Sequence, residues 1–183
     1  MAIKPWRKIG DPTFLAKKFN RGLIFQKFID DEGKEVEYSM FSGSNASVVL
    51  PITTDRRVVA VRQFRVGANE IVVELPGGCP DKKNEPPEKT AARELEEETG
   101  YKPGRLIRLM PEKLYFDAPS SINCIYGFLA LDCQLVNEQK LDSDEKIEVF
   151  TMTLKDWMNF ARNEASDLRV AAFLFKALPY LDL

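Results

Sequence analysis

The sequence predicts an α/β sandwich, in which a mixed sheet is covered by helices, with a β-rich extension at the N-terminus. Three observations predict this fold. Short apolar strand patterns occupy the first 75 residues, one acidic helical segment follows, and the chain then returns to strands before it ends in two amphipathic helices. Strands on both sides of a single central helix are typical of a sheet packed against helices.

The predicted elements follow one another with clear turn signals. Residues 1–18 are the least regular part of the chain. Strands before the acidic helix are expected at 22–29, 36–41, 48–51, 58–64 and 71–75. A polar turn at 31–33 makes the first two a hairpin, and a turn at 67–69 joins the last two. Beyond the acidic helix, strands are expected at 105–110, 124–131 and 147–151, and helices at 154–163 and 168–178.

The acidic segment carries the start and stop signals of a helix. Pro86 and Pro87 suit its first turn, and Gly100 suits a left-handed cap at its C-terminus. Ala91 and Leu95 lie on a small apolar stripe that packs the helix down. The helix therefore has a defined beginning, end and buried side.

Three glutamates crowd one face of this helix. Glu97 and Glu98 follow Glu94 by three and four residues, so all three share a face, whereas Glu96 points to the opposite side. Like charges at this spacing destabilise a helix by roughly a few tenths of a kcal/mol per pair. Mg²⁺ would reverse that effect, because it prefers oxygen ligands and is shared between carboxylates and substrate phosphates. A solvated acidic face is the alternative interpretation.

The segment resembles the Nudix box, whose consensus is Gly, five residues, Glu, seven residues, Arg-Glu-apolar-x-Glu-Glu-x-Gly-apolar. Glu85, seven intervening residues and then Arg-Glu-Leu-Glu-Glu-Glu-Thr-Gly at 93–100 match its second half. The first half departs from the pattern, because six residues separate Gly78 from Glu85 and Cys79 stands where strict spacing requires glycine. We interpret this as a one-residue insertion in the loop, which tolerates length changes better than a helix does.

The resemblance implies a Nudix-type α/β/α sandwich with a mixed sheet and an N-terminal β-hairpin extension. Residues 1–45 would form that extension and serve dimerisation and the substrate pocket, and residues 46–183 would form the Nudix hydrolase domain. In the resembling enzymes the N-terminal strands are exchanged between two subunits, so a homodimer is expected.

The resemblance also implies a metal site. Its ligands would be the carboxylates of Glu94, Glu97 and Glu98 together with the backbone carbonyl of Gly77. They would hold two or three Mg²⁺ ions, with Mn²⁺ as a possible substitute. Arg93 lies four residues before Glu97, in ion-pair reach, and is expected to orient the glutamates rather than to meet the substrate.

Residues around the box resemble those of ADP-ribose and other nucleoside-diphosphate-sugar pyrophosphatases. The matching segments are 62–65, 74–78, 120–125 and 142–149. By this resemblance Arg65 contacts the diphosphate, and Arg62 and Glu74 join it as substrate-binding candidates. Strand alternation places Arg62 and Arg65 on opposite faces, so the two arginines should have different roles.

The resemblance implies that Glu145 acts as the general base or orients the attacking water. A metal-activated water still needs a proton acceptor, and the chain contains no histidine to supply one. Glu98 and Glu148 remain alternatives. The predicted catalytic residues are Glu145, Glu98, Glu97 and Arg93.

The predicted reaction is metal-dependent hydrolysis of the diphosphate linkage in a nucleoside diphosphate sugar such as ADP-ribose, which yields a nucleoside monophosphate and a sugar phosphate. A Nudix hydrolase directed at GDP-mannose, a dinucleoside polyphosphate or a nucleoside triphosphate is an alternative, and a non-catalytic nucleotide-sensing Nudix domain is another. The base could stack on Trp6, Phe25, Phe28 or Tyr38, although each residue also suits core or interface packing.

Composition excludes several other classes of protein. The chain has 183 residues, 44% hydrophobic and 30% charged, and a net charge of −2, so it lacks the basic footprint that binds nucleic acid or an anionic membrane. No apolar run suits a signal peptide or a membrane span, and a cytoplasmic location is expected. Cys79, Cys124 and Cys133 show neither disulfide nor zinc spacing.

Overall fold

A computed structural model of the chain describes residues 3–110, 113–115, 117–143 and 145–181. The chain divides into two compact units. Unit 1 comprises the chain up to Asn45 together with Tyr115–Cys124, and unit 2 comprises Ala46–Leu114 together with the chain from Ile125 onward. Unit 1 thus includes an internal segment that lies beyond the predicted extension at 1–45.

Unit 1 contains a three-stranded antiparallel sheet in the order β1-β2-β3. Its strands are β1 (Arg7–Lys18), β2 (Arg21–Ile29) and β3 (Glu35–Ser42). The predicted hairpin is β2-β3, and the Asp30 carboxylate closes its turn by accepting hydrogen bonds from the amides of Glu32 (3.0 Å) and Lys34 (2.8 Å). The sequence did not predict β1, which lies in the part of the chain expected to be the least regular. Two register shifts interrupt its pairing with β2 and nearly all its side chains are exposed, so it shows no apolar alternation.

Unit 2 is built on a mixed sheet of eight strands whose main path is β11-β5-β4-β10-β8. Its strands are β4 (Ala46–Thr53), β5 (Arg57–Arg65), β6 (Glu70–Glu74), β7 (Gly77–Gly78), β8 (Tyr101–Lys102), β9 (Arg105–Arg108), β10 (Ile125–Leu135) and β11 (Ile147–Thr153). β4 and β10 are parallel, and the other pairs are antiparallel. β6 pairs with β5, β7 with β4 and β9 with β10. The sequence did not predict the two-residue strands β7 and β8, which are too short to carry a periodic pattern.

Three α-helices accompany this sheet, and their caps explain where they begin and end. They are α1 (Pro87–Thr99), α2 (Leu154–Asn163) and α3 (Leu168–Ala177), and a short 3₁₀ helix (Leu178–Tyr180) follows α3. Gly100 ends α1 in the left-handed conformation, with φ 76°, as predicted. Side chains of Thr153 and Asp167 accept hydrogen bonds from the first turns of α2 and α3. Among the described residues, none of the helices has the length and apolarity to span a membrane.

Helices cover both faces of the sheet in unit 2. Leu95 of α1 packs with Val49 and Phe128 on one face. Leu50, the residue after Val49 in β4, lies in the other cluster with Trp157 of α2 and with residues of α3. Because successive residues of a strand point to opposite faces, these two clusters lie on opposite sides of the sheet. The α/β/α sandwich with a mixed sheet is confirmed.

Candidate active site

The backbone of β7 lies directly against the carboxylates of α1. The amide of Gly77 donates a hydrogen bond of 2.8 Å to Oε2 of Glu98. A Cβ atom at Gly78 would lie 2.4 Å from Oε1 of Glu94, and one at Gly77, where φ is 154°, would lie 2.2 Å from the carbonyl oxygen of Ser47. Only glycine allows this approach at either position.

Burial raises the pKa of two box glutamates. It raises the pKa of Glu94 to about 7 and that of Glu98, which is 5% exposed, to about 8. The charge of Glu145 raises both pKa values further, and Glu97 adds to the effect on Glu94. Arg93 opposes the rise at Glu94, and the Gly77 amide opposes it at Glu98. The structure therefore places Glu145 close enough to the box glutamates for its charge to disfavour their ionisation.

Arg93 links the box helix to the preceding loop. Its Nη1 donates to Oε2 of Glu97 at 2.7 Å, which is the ion pair expected from their spacing. Its Nη2 donates to the carbonyl of Cys79 at 2.8 Å and lies 3.1 Å from Oε1 of Glu94 and 3.4 Å from Oε2 of Glu85. One guanidinium therefore orients two predicted metal ligands and holds the loop beside them.

Glu85 anchors the loop at 79–84, in which a one-residue insertion is predicted. Its carboxylate accepts hydrogen bonds from the Thr90 hydroxyl (2.8 Å), the Asp81 amide (3.3 Å) and Arg93. The Thr90 hydrogen bond is the main reason that the pKa of Glu85 lies below its usual range. Asn84 takes a left-handed φ of 65°, so the loop turns just before the anchor. The one-residue insertion in this loop stays a prediction.

Glu145 lies in the loop between β10 and β11, and its side chain is exposed. Its carboxylate accepts a hydrogen bond from the amide of Asp142 (3.2 Å), and its own amide donates to the Asp142 carbonyl (3.0 Å). Within the described part of the chain, no cation pairs with this carboxylate. Glu145 is therefore a carboxylate close to the box glutamates that is able to accept a proton.

Glu148 and Arg62 pair with each other on the neighbouring strands β11 and β5. Nε of Arg62 lies 3.7 Å from Oε2 of Glu148, and its guanidinium carbon lies 4.4 Å from the ring centroid of Phe150. Arg65, in contrast, contacts Glu74 and lowers the pKa of Glu98. The two arginines thus have different contacts on β5, and their different roles stay a prediction.

Glu74 is buried under Arg65 with both carboxylate oxygens occupied. Oε2 accepts hydrogen bonds from Nε (2.8 Å) and Nη2 (2.6 Å) of Arg65 and from the side-chain amide of Gln63 (3.1 Å). Oε1 contacts Nη2 of Arg169 at 2.5 Å. The Glu74 side chain is 3% exposed and that of Arg65 is 41% exposed. Of this pair, Arg65 is the one that remains accessible to a substrate.

Two residues near the site were not identified from the sequence. Arg169, at the start of α3, contacts Glu74 of β6 across 95 positions of the chain. Gln139 donates its side-chain amide to the carbonyls of Glu98 (2.6 Å) and Ile147 (3.2 Å), which joins the end of α1 to the start of β11. The sequence gives a signal for Arg169 alone, because the helix start at 167–168 places it in the first turn of α3. This signal does not indicate that Arg169 contacts Glu74.

The donor set suits a hard divalent cation. The candidate ligands offer oxygen atoms alone, and two of the carboxylates have their charge disfavoured by burial. Among the described residues no group of three or more acidic, cysteine or histidine side chains is arranged to hold a metal ion by itself. Mg²⁺ does not need such a group, because it usually keeps several waters and takes further ligands from substrate phosphates. The residues fit a divalent cation that is held jointly with a phosphate ligand.

Comparison with known proteins identifies the family. The NUDIX domain family matches residues 43–179, and the chain belongs to that family. It is 29% identical to the ADP-ribose pyrophosphatase of Bacillus subtilis (strain 168) over 97% of this chain and 95% of that protein. It is 34% identical to the GDP-mannose pyrophosphatase of Escherichia coli O9:H4 (strain HS) over 60% of each protein.

A further relative and a solved structure extend the comparison. The chain is 27% identical to a methanol dehydrogenase activator of Bacillus methanolicus over 84% of each protein. A crystal structure described as an ADP compounds hydrolase covers 99% of this chain and 96% of its own, with a TM-score of 0.80 and 18% identity, and so supports the fold. The predicted family, the fold class and the assignment as a Nudix hydrolase are confirmed.

Proposed function

We propose that the chain hydrolyses the diphosphate linkage of a nucleoside diphosphate sugar, with ADP-ribose as the first candidate, in a reaction that depends on Mg²⁺. The observation that carries the proposal is the position of Arg65 beside the box carboxylates, where it lowers the pKa of Glu98 and remains 41% exposed. A cation next to a metal site is suited to a substrate whose charge is concentrated in a diphosphate. The similarity to the ADP-ribose pyrophosphatase over almost the whole chain supports this substrate class.

The residues divide the work between metal binding and substrate binding. Glu94, Glu97, Glu98 and the Gly77 carbonyl would hold two or three Mg²⁺ ions, for which Mn²⁺ could substitute. When bound, such ions offset phosphate charge and lower the pKa of a bound water. Arg65 would donate hydrogen bonds to the diphosphate oxygens from the guanidinium edge that faces away from Glu74.

Glu145 is our proposed general base. It is exposed, its carboxylate has a backbone amide as its hydrogen-bond partner, and its charge raises the pKa of both Glu94 and Glu98. Glu148 is less suited, because it lies directly opposite Arg62 on the neighbouring strand β5 and pairs with it. Glu98 is also less suited, because its carboxylate binds the Gly77 amide and it is a candidate metal ligand. Glu145 would accept the proton of the attacking water.

Unit 1 is proposed to complete the enzyme as an N-terminal extension that forms a homodimer and contributes to base binding. The rings of Trp6 and Tyr38 are in contact at a tilt of 46°, with centroids 5.9 Å apart, and the ring centroid of Phe28 lies 6.3 Å from that of Tyr38. Both Trp6 and Tyr38 are more than two-fifths exposed, so their rings could receive a base. Phe25 remains a less exposed candidate. Among the described residues none of the three cysteines forms a disulfide, which suits the predicted cytoplasmic location.

GDP-mannose is the second candidate substrate. Over the region that aligns, the chain is 34% identical to the GDP-mannose pyrophosphatase of Escherichia coli, compared with 29% for the ADP-ribose pyrophosphatase of Bacillus subtilis. Dinucleoside polyphosphates and nucleoside triphosphates remain further alternatives. A non-catalytic nucleotide-sensing domain is less favoured, because Glu94, Glu97 and Glu98 are all present and Glu145 lies in their field.

The test is a substrate panel with a matched pair of variants. The purified protein is incubated with Mg²⁺ and ADP-ribose, GDP-mannose, ADP-glucose, UDP-glucose, diadenosine polyphosphates or dGTP, and products are separated by chromatography. Glu97→Gln removes a proposed ligand, whereas Glu96→Gln makes the same change on the opposite face of α1, where Glu96 pairs with Lys102. We expect AMP and ribose 5-phosphate from ADP-ribose with wild type and Glu96→Gln, and a loss of roughly 10²-fold or more with Glu97→Gln. Cleavage of polyphosphates alone would reject the substrate class, and binding without cleavage would favour the sensing domain.

A further inference from the structure

We propose that Arg169, at the N-terminus of α3, is a positioning residue for substrate binding that acts through Glu74 on Arg65. The inference rests on the proposed function, in which Arg65 contacts the diphosphate. Arg169 itself lies in a helix that carries no residue of the Nudix box, so its role would connect the far end of the chain with substrate recognition.

A continuous line of charged contacts joins Arg169 to Arg65. Nη2 of Arg169 lies 2.5 Å from Oε1 of Glu74, and Nε and Nη2 of Arg65 bind the other carboxylate oxygen at 2.8 and 2.6 Å. Arg169 also binds Oδ2 of Asp167 through Nε (2.7 Å) and Nη2 (2.6 Å), so its Nη2 contacts both carboxylates. Opposite charges alternate along this line, and the four residues together carry no net charge.

The depth of Glu74 makes the arrangement rigid. Its carboxylate is 3% exposed, so it needs charged or hydrogen-bonding partners on both oxygens. Arg169 binds Oε1, which leaves Oε2 of Glu74 to bind Arg65. Oε2 contacts the guanidinium edge formed by Nε and Nη2 of Arg65. An arginine has five N–H donors, so Nη1 and the outer N–H of Nη2 remain to bind an anion.

Arg169 is in turn held by the cap of its own helix. The Asp167 carboxylate accepts a hydrogen bond of 2.9 Å from the Arg169 amide and also binds its guanidinium. Asp167 therefore both starts α3 and fixes the side chain that reaches Glu74. Without Arg169, Glu74 would keep one cation, and Arg65 would be free to neutralise both carboxylate oxygens instead of presenting its outer edge.

Steady-state kinetics with ADP-ribose at saturating Mg²⁺ test this role. For Arg169→Met we expect KM to rise roughly tenfold, within the range of energies by which neighbouring residues are coupled, while kcat changes little. Arg169→Lys keeps the charge but cannot bridge two carboxylates as a guanidinium does, so its KM should lie between wild type and Arg169→Met. Arg162→Met makes the same change at an exposed position on α2 and should leave KM unchanged. Thermal unfolding of each variant identifies any loss of folded protein.

A double-mutant cycle with Arg65→Met separates an indirect role from a direct one. If Arg169 acts through Arg65, the Arg169→Met change should raise KM little further once Arg65 is gone. If the two effects multiply instead, Arg169 meets the substrate by itself and the inference is wrong. It is also wrong if Arg169→Met behaves like Arg162→Met while Arg65→Met is impaired, a result that leaves the proposed function intact. If the wild-type protein does not hydrolyse ADP-ribose, the proposed function is wrong. This outcome is distinguished from the others because it is seen without any variant.

Discussion

Among single residues, Arg93 has the most contacts with the candidate ligands. It pairs with Glu97 and Glu94 and also binds the Cys79 carbonyl. We expect Arg93→Met to lower activity by roughly 10–100-fold and to raise the Mg²⁺ concentration needed for half-maximal activity, because residues that orient metal ligands have effects of this size. A Mg²⁺ titration of activity checks this, with Arg162→Met as the control. Lost activity at an unchanged Mg²⁺ requirement would mean that Arg93 contacts the substrate.

The raised pKa values of Glu94 and Glu98 predict how the stability of the metal-free protein changes with pH. The pKa values of Glu94 (about 7) and Glu98 (about 8) exceed that of an unfolded glutamate, so the folded state holds more protons between about pH 5 and pH 8. The free energy of unfolding should therefore fall as pH rises through this range. Mg²⁺ should restore it, with a larger rise in Tm at about pH 8 than at about pH 6.

Thermal unfolding in EDTA and in Mg²⁺ across this pH range is the measurement. Glu98→Gln should flatten the pH dependence of the metal-free protein, because it removes one of the two titrating groups. Glu96→Gln should leave the dependence unchanged. Equal slopes for wild type and Glu98→Gln would contradict the assignment of the pH effect to this site.

At the scale of elements, β7 shows why a two-residue strand contains two glycines. A Cβ at Gly78 would meet the end of the Glu94 side chain, whereas one at Gly77 would meet the backbone of Ser47 and Val48 at 2.2 and 2.7 Å. We expect Gly78→Ala to displace Glu94 and abolish most activity with little change in Tm. Gly77→Ala should lower the free energy of unfolding by roughly 1–3 kcal/mol.

Urea unfolding and activity assays on the two variants check this contrast. Gly67→Ala is the control, because a Cβ at Gly67 has no atom within 4 Å and should change neither property. If Gly78→Ala keeps full activity, then Glu94 does not need its present position to bind metal.

The loop between β10 and β11 depends on Gln139 for its attachment to α1. The Gln139 amide joins the carbonyls of Glu98 and Ile147, so it holds the loop that carries Glu145 close to the end of α1. Gln139→Met should reduce kcat roughly 10- to 100-fold, since small displacements of a catalytic group have effects of this size. The pH profile of kcat and the Tm should be compared with those of Gln134→Met, an exposed glutamine on β10. Identical behaviour of the two variants would exclude a role for Gln139.

At the scale of the whole molecule, the exposed apolar side chains of unit 1 bear on its oligomeric state. Phe14 and Phe41 are at least half-exposed in its sheet. Phe14 pairs with Ile24 and Phe41 with the preceding residue Leu23, so the two rings lie on opposite faces of the sheet. Exposed apolar side chains are typical of an interaction surface, so we expect a homodimer that buries this sheet. Phe14→Glu with Phe41→Glu should shift the protein to monomer in light scattering after size exclusion. Phe175→Glu, at an exposed position of α3 in unit 2, should not. A wild type that is monomeric at all concentrations would contradict the expectation.

Most of unit 2 could be predicted from the sequence, and much of unit 1 could not. Strands β4, β5 and β10 have buried, apolar residues, and α1, α2 and α3 have capping residues at their ends, so their patterns are local and strong. β1 is exposed along nearly its whole length, so its sequence lacks the alternation that identifies a strand. Tyr115–Cys124 joins unit 1 through hydrogen bonds such as those between Phe41 and the segment at Ser120 and Ile122, which no periodic signal indicates.

By itself, the sequence determined the box helix, its caps, its acidic face and the kind of cation that such a face suits. These features depend on spacings of three or four residues, which the helix converts directly into neighbours. Only the tertiary structure decided which residues surround that face: the glycines that approach Glu94 and Glu98, the position of Glu145, and the pairing of Glu74 with Arg65 and Arg169. These contacts join side chains that are far apart along the chain, and they exist because sheet register and helix packing bring the elements together.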